Sequence, residues 1–171
     1  MAFERKHVDI FTDGACTGNP GAGGWACILL YKKAEKSLSG ADPATTNNRM
    51  EMTALIQALK CLKESCDVTV FSDSSYIINA FNNGWLDSWM QHGFRKSDGK
   101  PVLNVDLWQE LYSLTRHQHL TFKWVKGHAD NEMNNRCDRM AVQAYRDYME
   151  SHKDQPQDGD AQYTRDPGEM E

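Results

Sequence analysis

The hydrophobic positions of this chain change period several times, and the changes divide it into elements. His7–Cys16 contains the apolar run VDIFTD, which predicts a strand ended by Gly14. GNPGAGG (Gly18–Gly24) reads as a turn-rich connector. WACILLYK (Trp25–Lys32) is apolar and suits a buried second strand, and Ser37–Gly40 predicts a short third one. Connections this short favour an antiparallel meander. The period then becomes helical. Asn47 and Asn48 are good N-cap types, and RMEMTALIQALKCLKES carries a helix to about Ser65. VTVFSD (Val68–Asp73) is the next strand, and a strand–helix–strand crossover makes it parallel to the first. Ser74–Asn82 is helical and leads into the Trp-containing piece WLDSWMQ, then the polar loop Arg95–Pro101. Asn104 caps a helix to about Thr115. LTFKWV (Leu120–Val125) is a last strand, and after KGHADN a final helix runs from about Asn131 to Tyr148. The outcome is an α/β fold.

Composition adds limits. The chain of 171 residues fits one domain, residues 1–149, and an acidic tail, residues 150–171, whose end is too poor in apolar side chains to pack and is expected to be flexible. Five cysteines, none in CxxC spacing, argue against a zinc site or a disulfide framework. No apolar run is long enough to span a bilayer, and MAFERKHVDIF lacks the apolar core of a signal peptide. A standalone cytoplasmic protein with no membrane partner is expected, and a monomer. The net charge of −5 is confined to the tail, where seven acids face two bases. Residues 1–149 carry 17 of each and are neutral, which is compatible with phosphate binding.

The candidate chemistry begins with an echo, IFTDG against VFSDS. Asp13 and Asp73 each close an apolar strand, and parallel neighbours would place both at the sheet edge where α/β proteins bind ligands. Alone, each Asp has a competing role as a turn residue. Glu51 shares a helical face with Leu55, Ala58 and Leu62, so its carboxylate faces the protein body. The competing reading puts it in a frayed first turn, where acids suit the helix dipole. Asp138 shares a face with Ala141, Val142 and Tyr145, although an ion pair with Arg136 or Arg139 would also explain it. Four converging carboxylates repel one another unless a cation joins them. Hard divalent ions, Mg²⁺ or Mn²⁺, suit an all-carboxylate site, with one or two ions.

TDGACTGNPGAGGW, TTNNRMEM, FSDSSY, NVDLWQ and WVKGHADNEMNNRCDRMA, in this order from about Val8 to Tyr145, resemble type 1 ribonuclease H. The resemblance implies the ribonuclease H-like fold. Its five-stranded mixed sheet has the first three strands antiparallel, the last two parallel to strand 1, and helices on both faces. It also implies an endonuclease that hydrolyses the RNA strand of RNA–DNA hybrids with Mg²⁺, or Mn²⁺ as substitute. Such an enzyme leaves 3′-hydroxyl and 5′-phosphate ends and removes R-loops and RNA primers. Carried over by motif, Asp13, Glu51, Asp73 and Asp138 bind the metal, and His128 assists proton transfer or product release. Asn19, Asn47 and Asn48 would contact the hybrid across its minor groove, Cys16 and Ser74 would lie beside it, and Trp85 and Trp89 would stack on DNA sugars. By itself, a Trp pair at this spacing is more often core.

One segment departs from the family pattern. After Trp89 the chain reads MQHGFRKSDGKP, with Met90, Gln91 and His92 where relatives with a basic handle carry bases. Arg95, Lys96 and Lys100 remain, so weaker hybrid binding is expected. Ser75 stands where a longer polar residue is common in the family. The alternative to an enzyme is a non-catalytic RNA–DNA hybrid-binding module, but a pure binder gains nothing from four repelling carboxylates.

Overall fold

The computed structural model describes residues 5–126 and 131–153. His128 and the tail beyond Lys153 fall outside them. Ten elements follow in the order β1 (Lys6–Cys16), β2 (Gly21–Tyr31), β3 (Ala34–Thr45), α1 (Asn47–Lys60), β4 (Cys66–Ser72), α2 (Ser75–Asn82), α3 (Trp85–Gln91), α4 (Val105–Thr115), β5 (His119–Trp124) and α5 (Glu132–Ser151). They form one five-stranded sheet in the order β3-β2-β1-β4-β5. β1 and β2, and β2 and β3, pair antiparallel, whereas β1 and β4, and β4 and β5, pair parallel. The mixed sheet expected from the sequence is the one observed.

Side-chain alternation along the strands sorts the residues onto two faces. Val8, Ile10, Cys27, Leu29, Val68 and Val70 join Met52, Leu55, Ile56 and Leu59 of α1 and Trp108 and Leu111 of α4 in the larger core. Trp108 is fully buried, and its indole N–H donates to the Tyr76 hydroxyl at 3.1 Å, so its one polar atom is satisfied. Phe11, Ala26 and Ile28 meet Cys137 and Ala141 of α5 in a smaller core on the opposite face.

Three elements differ from their sequence-based expectation. Gly21–Gly24 is not a turn but the start of β2. These glycines serve close packing. A β-carbon on Gly24 would strike the Ala141 carbonyl of α5, and one on Gly23 would lie 2.8 Å from the Ala15 carbonyl oxygen. β3 spans Ala34–Thr45 rather than a short central stretch. As an edge strand it is largely exposed, so polar residues and Pro43 are tolerated and mask its length. α1 ends at Lys60, with Cys61 as C-cap, instead of near Ser65. All five cysteines are free. Among the described residues, no helix is long and apolar enough to cross a membrane.

Candidate active site

The parallel register of β1 and β4 runs up to Phe11 opposite Phe71, whose rings stack at 4.8 Å. Two residues further along each chain stand Asp13 and Asp73. The sheet therefore delivers both carboxylates to the C-terminal edge of the parallel pair. Glu51 comes from α1, on the face that buries Leu55 and Ala58. It is 3 % exposed, which removes the frayed-turn reading. The approach is close because residue 14 is glycine. A β-carbon there would lie 2.5 Å from the Glu51 amide nitrogen and 2.8 Å from the Met50 β-carbon.

Asp13, Glu51 and Asp73 each offer an oxygen, and these oxygens all lie within 4.8 Å of one another. Asp138, from α5, lines the same pocket of about 670 Å³. The four sequence candidates thus share one cavity, with three of them in a tight group. Burial is the main cause that pushes the Asp13 carboxyl up to about 7, with the charges of Asp73 and Asp138 adding to it. Burial, followed by the charges of Asp13 and Asp73, raises Glu51 well above the usual carboxylate range. The Gly14 amide donates to Asp13 Oδ1 at 2.9 Å. Glu51 Oε2 is buried with no hydrogen-bond partner. A buried orphan acceptor is costly, and a cation relieves it. The three carboxylates, with one oxygen each in a single group, would hold a small hard divalent ion there.

Asn134 is a contributor that the sequence reading passes over. It lies one helical turn before Asp138, and that spacing is the signal that could have found it. Its Nδ2 donates to the Thr12 carbonyl at 3.3 Å and the Phe71 carbonyl at 3.1 Å. Asn134 so ties β1 to β4 immediately before the two aspartates.

The pocket wall gathers the remaining candidates. Cys16, Asn47, Asn48, Ser74, Trp85 and Trp89 line it, along with Tyr76, Asn79 and Lys96. The helix cap is not provided by Asn47 or Asn48. Thr46, fully buried, accepts from the Arg49 amide at 3.3 Å, and both asparagines fall in the first turn. Asn19 does not line the cavity in the described arrangement; its Oδ1 accepts from the Asn47 amide at 3.0 Å and so braces that turn. Ser74 caps α2 by accepting from the Ile77 amide. Cys16 Sγ donates to the carbonyls of Gly18, Gly21 and Thr45. The two tryptophans differ. Trp89 packs against Trp108 at 5.3 Å, whereas Trp85 is 41 % exposed. Lys96 is the one base among the described lining residues. It sits in a turn closed by its own amide on the Lys100 carbonyl at 2.8 Å, and the Arg95 guanidinium donates to the Gly99 carbonyl at 2.9 Å.

The family model for RNase H matches residues 5–146. The chain belongs to the ribonuclease H family. The Ribonuclease H of Chlorobaculum parvum is 56 % identical over 137 residues, covering 80 % of this chain and 94 % of the relative. That of Caldanaerobacter subterraneus subsp. tengcongensis is 50 % identical over 152 residues, covering 89 % and 99 %. Among solved structures, LC9-RNase H1, described as a type 1 RNase H with the type 2 active-site motif, superimposes with a TM-score of 0.76. It is 27 % identical, and the match covers 86 % of this chain and 75 % of that one.

Proposed function

We propose that this ribonuclease H is an endonuclease that hydrolyses the RNA strand of RNA–DNA hybrids, leaving 3′-hydroxyl and 5′-phosphate ends. Mg²⁺, with Mn²⁺ as substitute, is the ion proposed for Asp13, Glu51, Asp73 and Asp138. The observation that carries this reading is the orphaned, buried Glu51 Oε2 within a group of mutually repelling carboxylates. That group is stable in its charged form only with a cation. When bound, divalent ions offset the charge of the phosphate during an in-line displacement.

The chain's own groups supply the rest. Asn47 and Asn48 present amides that both donate and accept, matching 2′-hydroxyls and base edges in the shallow minor groove. Asn19 holds the turn that presents them. Cys16 and Ser74 shape the floor beside them, and Tyr76 and Asn79 extend it. Trp85 offers an exposed ring for a DNA sugar, and Trp89 fixes the helix that carries it. Lys96 faces a phosphate at the pocket rim. His128 is proposed to move a proton, because an imidazole titrates near neutral pH. The protein acts as a cytoplasmic monomer in removing R-loops and RNA primers.

Cleavage of a labelled RNA–DNA hybrid, with duplex DNA and duplex RNA alongside, tests the reading. Mg²⁺-dependent cutting of the hybrid alone is expected, abolished by chelator and by Asp13→Asn. Hybrid binding without cutting by the unaltered chain would overturn it in favour of a binding module.

A further inference from the structure

Far from the carboxylate pocket, three strands place a histidine, an aspartate and a second histidine side by side. In the parallel registers His7 pairs with Asp67, and Asp67 pairs with His119. Partners in a ladder project to the same face, and adjacent strands lie about 4.8 Å apart. The alternate residues Val8, Ile10, Val68, Val70 and Leu120 face the larger core. His7, Asp67 and His119 therefore stand on the opposite face, and all three are exposed. The next row on that face is Asp9, Thr69 and Thr121. The helix on this side, α5, packs on β1, β2 and β3. A depression of about 400 Å³ lies over the row, lined by His7, Asp67, Thr69, His119 and Thr121 together with Val68 and Leu120.

We infer that this row is a second metal site, taking a transition-metal ion of the Zn²⁺ class through His7, Asp67 and His119. Two imidazoles and one carboxylate suit Zn²⁺ and its neighbours, and are a poor set for the Mg²⁺ that an all-oxygen cluster prefers. Metal-binding histidines are oriented by a partner on their other ring nitrogen, commonly a carboxylate. His7 has one, since its Nε2 lies 2.9 Å from Asp9 Oδ1, which leaves Nδ1 for a metal. The strand starts that carry the row are clamped. Gln118 Oε1 accepts from the Cys66 amide at 2.7 Å, and Gln118 Nε2 donates to the Glu64 carbonyl at 3.1 Å. These bonds fix residues 67 and 119 in register. Among the described residues, the Asp13 group alone has its ligand atoms already within 4.8 Å. With His7 held by Asp9, closing the row would fall to rotation of the exposed Asp67 and His119 side chains. An ion there would join β1, β4 and β5 at the end of the sheet opposite the active site. His7 precedes Asp13 by six residues, or about 20 Å of strand.

The test is a Zn²⁺ titration of the full chain in excess Mg²⁺, read by calorimetry and by the imidazole NMR signals. One Zn²⁺ equivalent is expected to shift the His7 and His119 signals together. His7→Ala and His119→Ala should each weaken that equivalent at least about tenfold, and Asp9→Asn by about the same factor, while leaving Mg²⁺-dependent hybrid cleavage intact. All three positions lie on an exposed face, and unchanged melting without Zn²⁺ checks the fold. Unshifted imidazole signals, or the same Zn²⁺ affinity and stoichiometry in both histidine variants, would overturn the site. Loss of hybrid cleavage in the unaltered chain would bear on the proposed function and not on this row.

Discussion

The carboxylate floor and the segment after Trp89 border one pocket, yet they are built by different means. The floor takes Asp13 from β1, Glu51 from α1, Asp73 from the end of β4 and Asp138 from α5, and packing over large sequence separations holds it. The segment from Arg95 to Pro101 is made locally. Arg95 and Pro101 form an isolated bridge, and Gly99 turns with a positive φ of 84°. The floor concentrates buried negative charge, while the segment brings a single base, Lys96, to the pocket. A region determined by long-range packing resists change and fails all at once. A region determined by its own turn can gain or lose charge with little effect on the fold.

The sharpest way to break this comparison is Asp13→Asn. Removing one carboxylate from the proposed metal site should lower hybrid cleavage by about three orders of magnitude or more. The same variant should melt higher than the unaltered chain in chelator, because a repelling buried charge is gone. A lower melting temperature at pH 8 in chelator would contradict the repulsion on which the floor rests.

The pH dependence gives a second test. The Asp13 carboxyl is raised from 3.8 to about 7, so between these values the folded chain holds a proton that the unfolded chain has released. Stability of the metal-free protein should then fall as the pH rises from about 4 to 7, and the raised Glu51 carboxyl works in the same direction. The loss should be a few kcal/mol, at about 1.4 kcal/mol per pKa unit. Mg²⁺ should recover most of it at pH 8. Chemical denaturation in chelator and in Mg²⁺ across this range measures both slopes, and a flat chelator profile would count against them.

Gly14→Ala probes the contact beneath the floor. Its β-carbon would press on the backbone of Glu51 and Met50. A cost of about 1–3 kcal/mol is expected, as for other overpacked cores, with a fall in cleavage as Glu51 is displaced. The smallest effect belongs to the charge-poor segment. Met90→Lys with Gln91→Lys should leave kcat and melting unchanged and lower KM. If both lysines reach phosphates, the salt dependence of binding should steepen by roughly one unit of log K per log salt for each. A salt slope unaffected by the pair would show that neither reaches the hybrid.

How much of this was legible beforehand depended on the kind of contact. Asp13 and Asp73 could be placed because strand ends in parallel register are a local property of each strand. Glu51 could be placed because helical periodicity aligned it with Leu55 and Ala58. The cap at Thr46 is not legible because Asn47, Asn48 and Thr46 are all suitable cap residues, and only the bond that Thr46 accepts from the Arg49 amide decides among them. Gly21–Gly24 looks like a turn because the same residue serves turns and close approaches, and at Gly24 the helix backbone that demands it lies more than a hundred positions away. The full length of β3 is not legible because an exposed edge strand carries no apolar signature. Asn134 leaves only its spacing from Asp138 in the sequence, because its partners are backbone carbonyls.

The glycines of β1 and β2 also govern how this chain can diverge over generations. At Gly14 and Gly24 the atoms in the way of a side chain include main-chain atoms of α1 and α5. A second substitution can shrink a neighbouring side chain, but it cannot shrink a backbone. Descendants of this sequence can therefore vary the exposed positions of the segment after Trp89 far more readily. At these two positions any side chain presses on main chain, and trimming a neighbouring side chain does not relieve it.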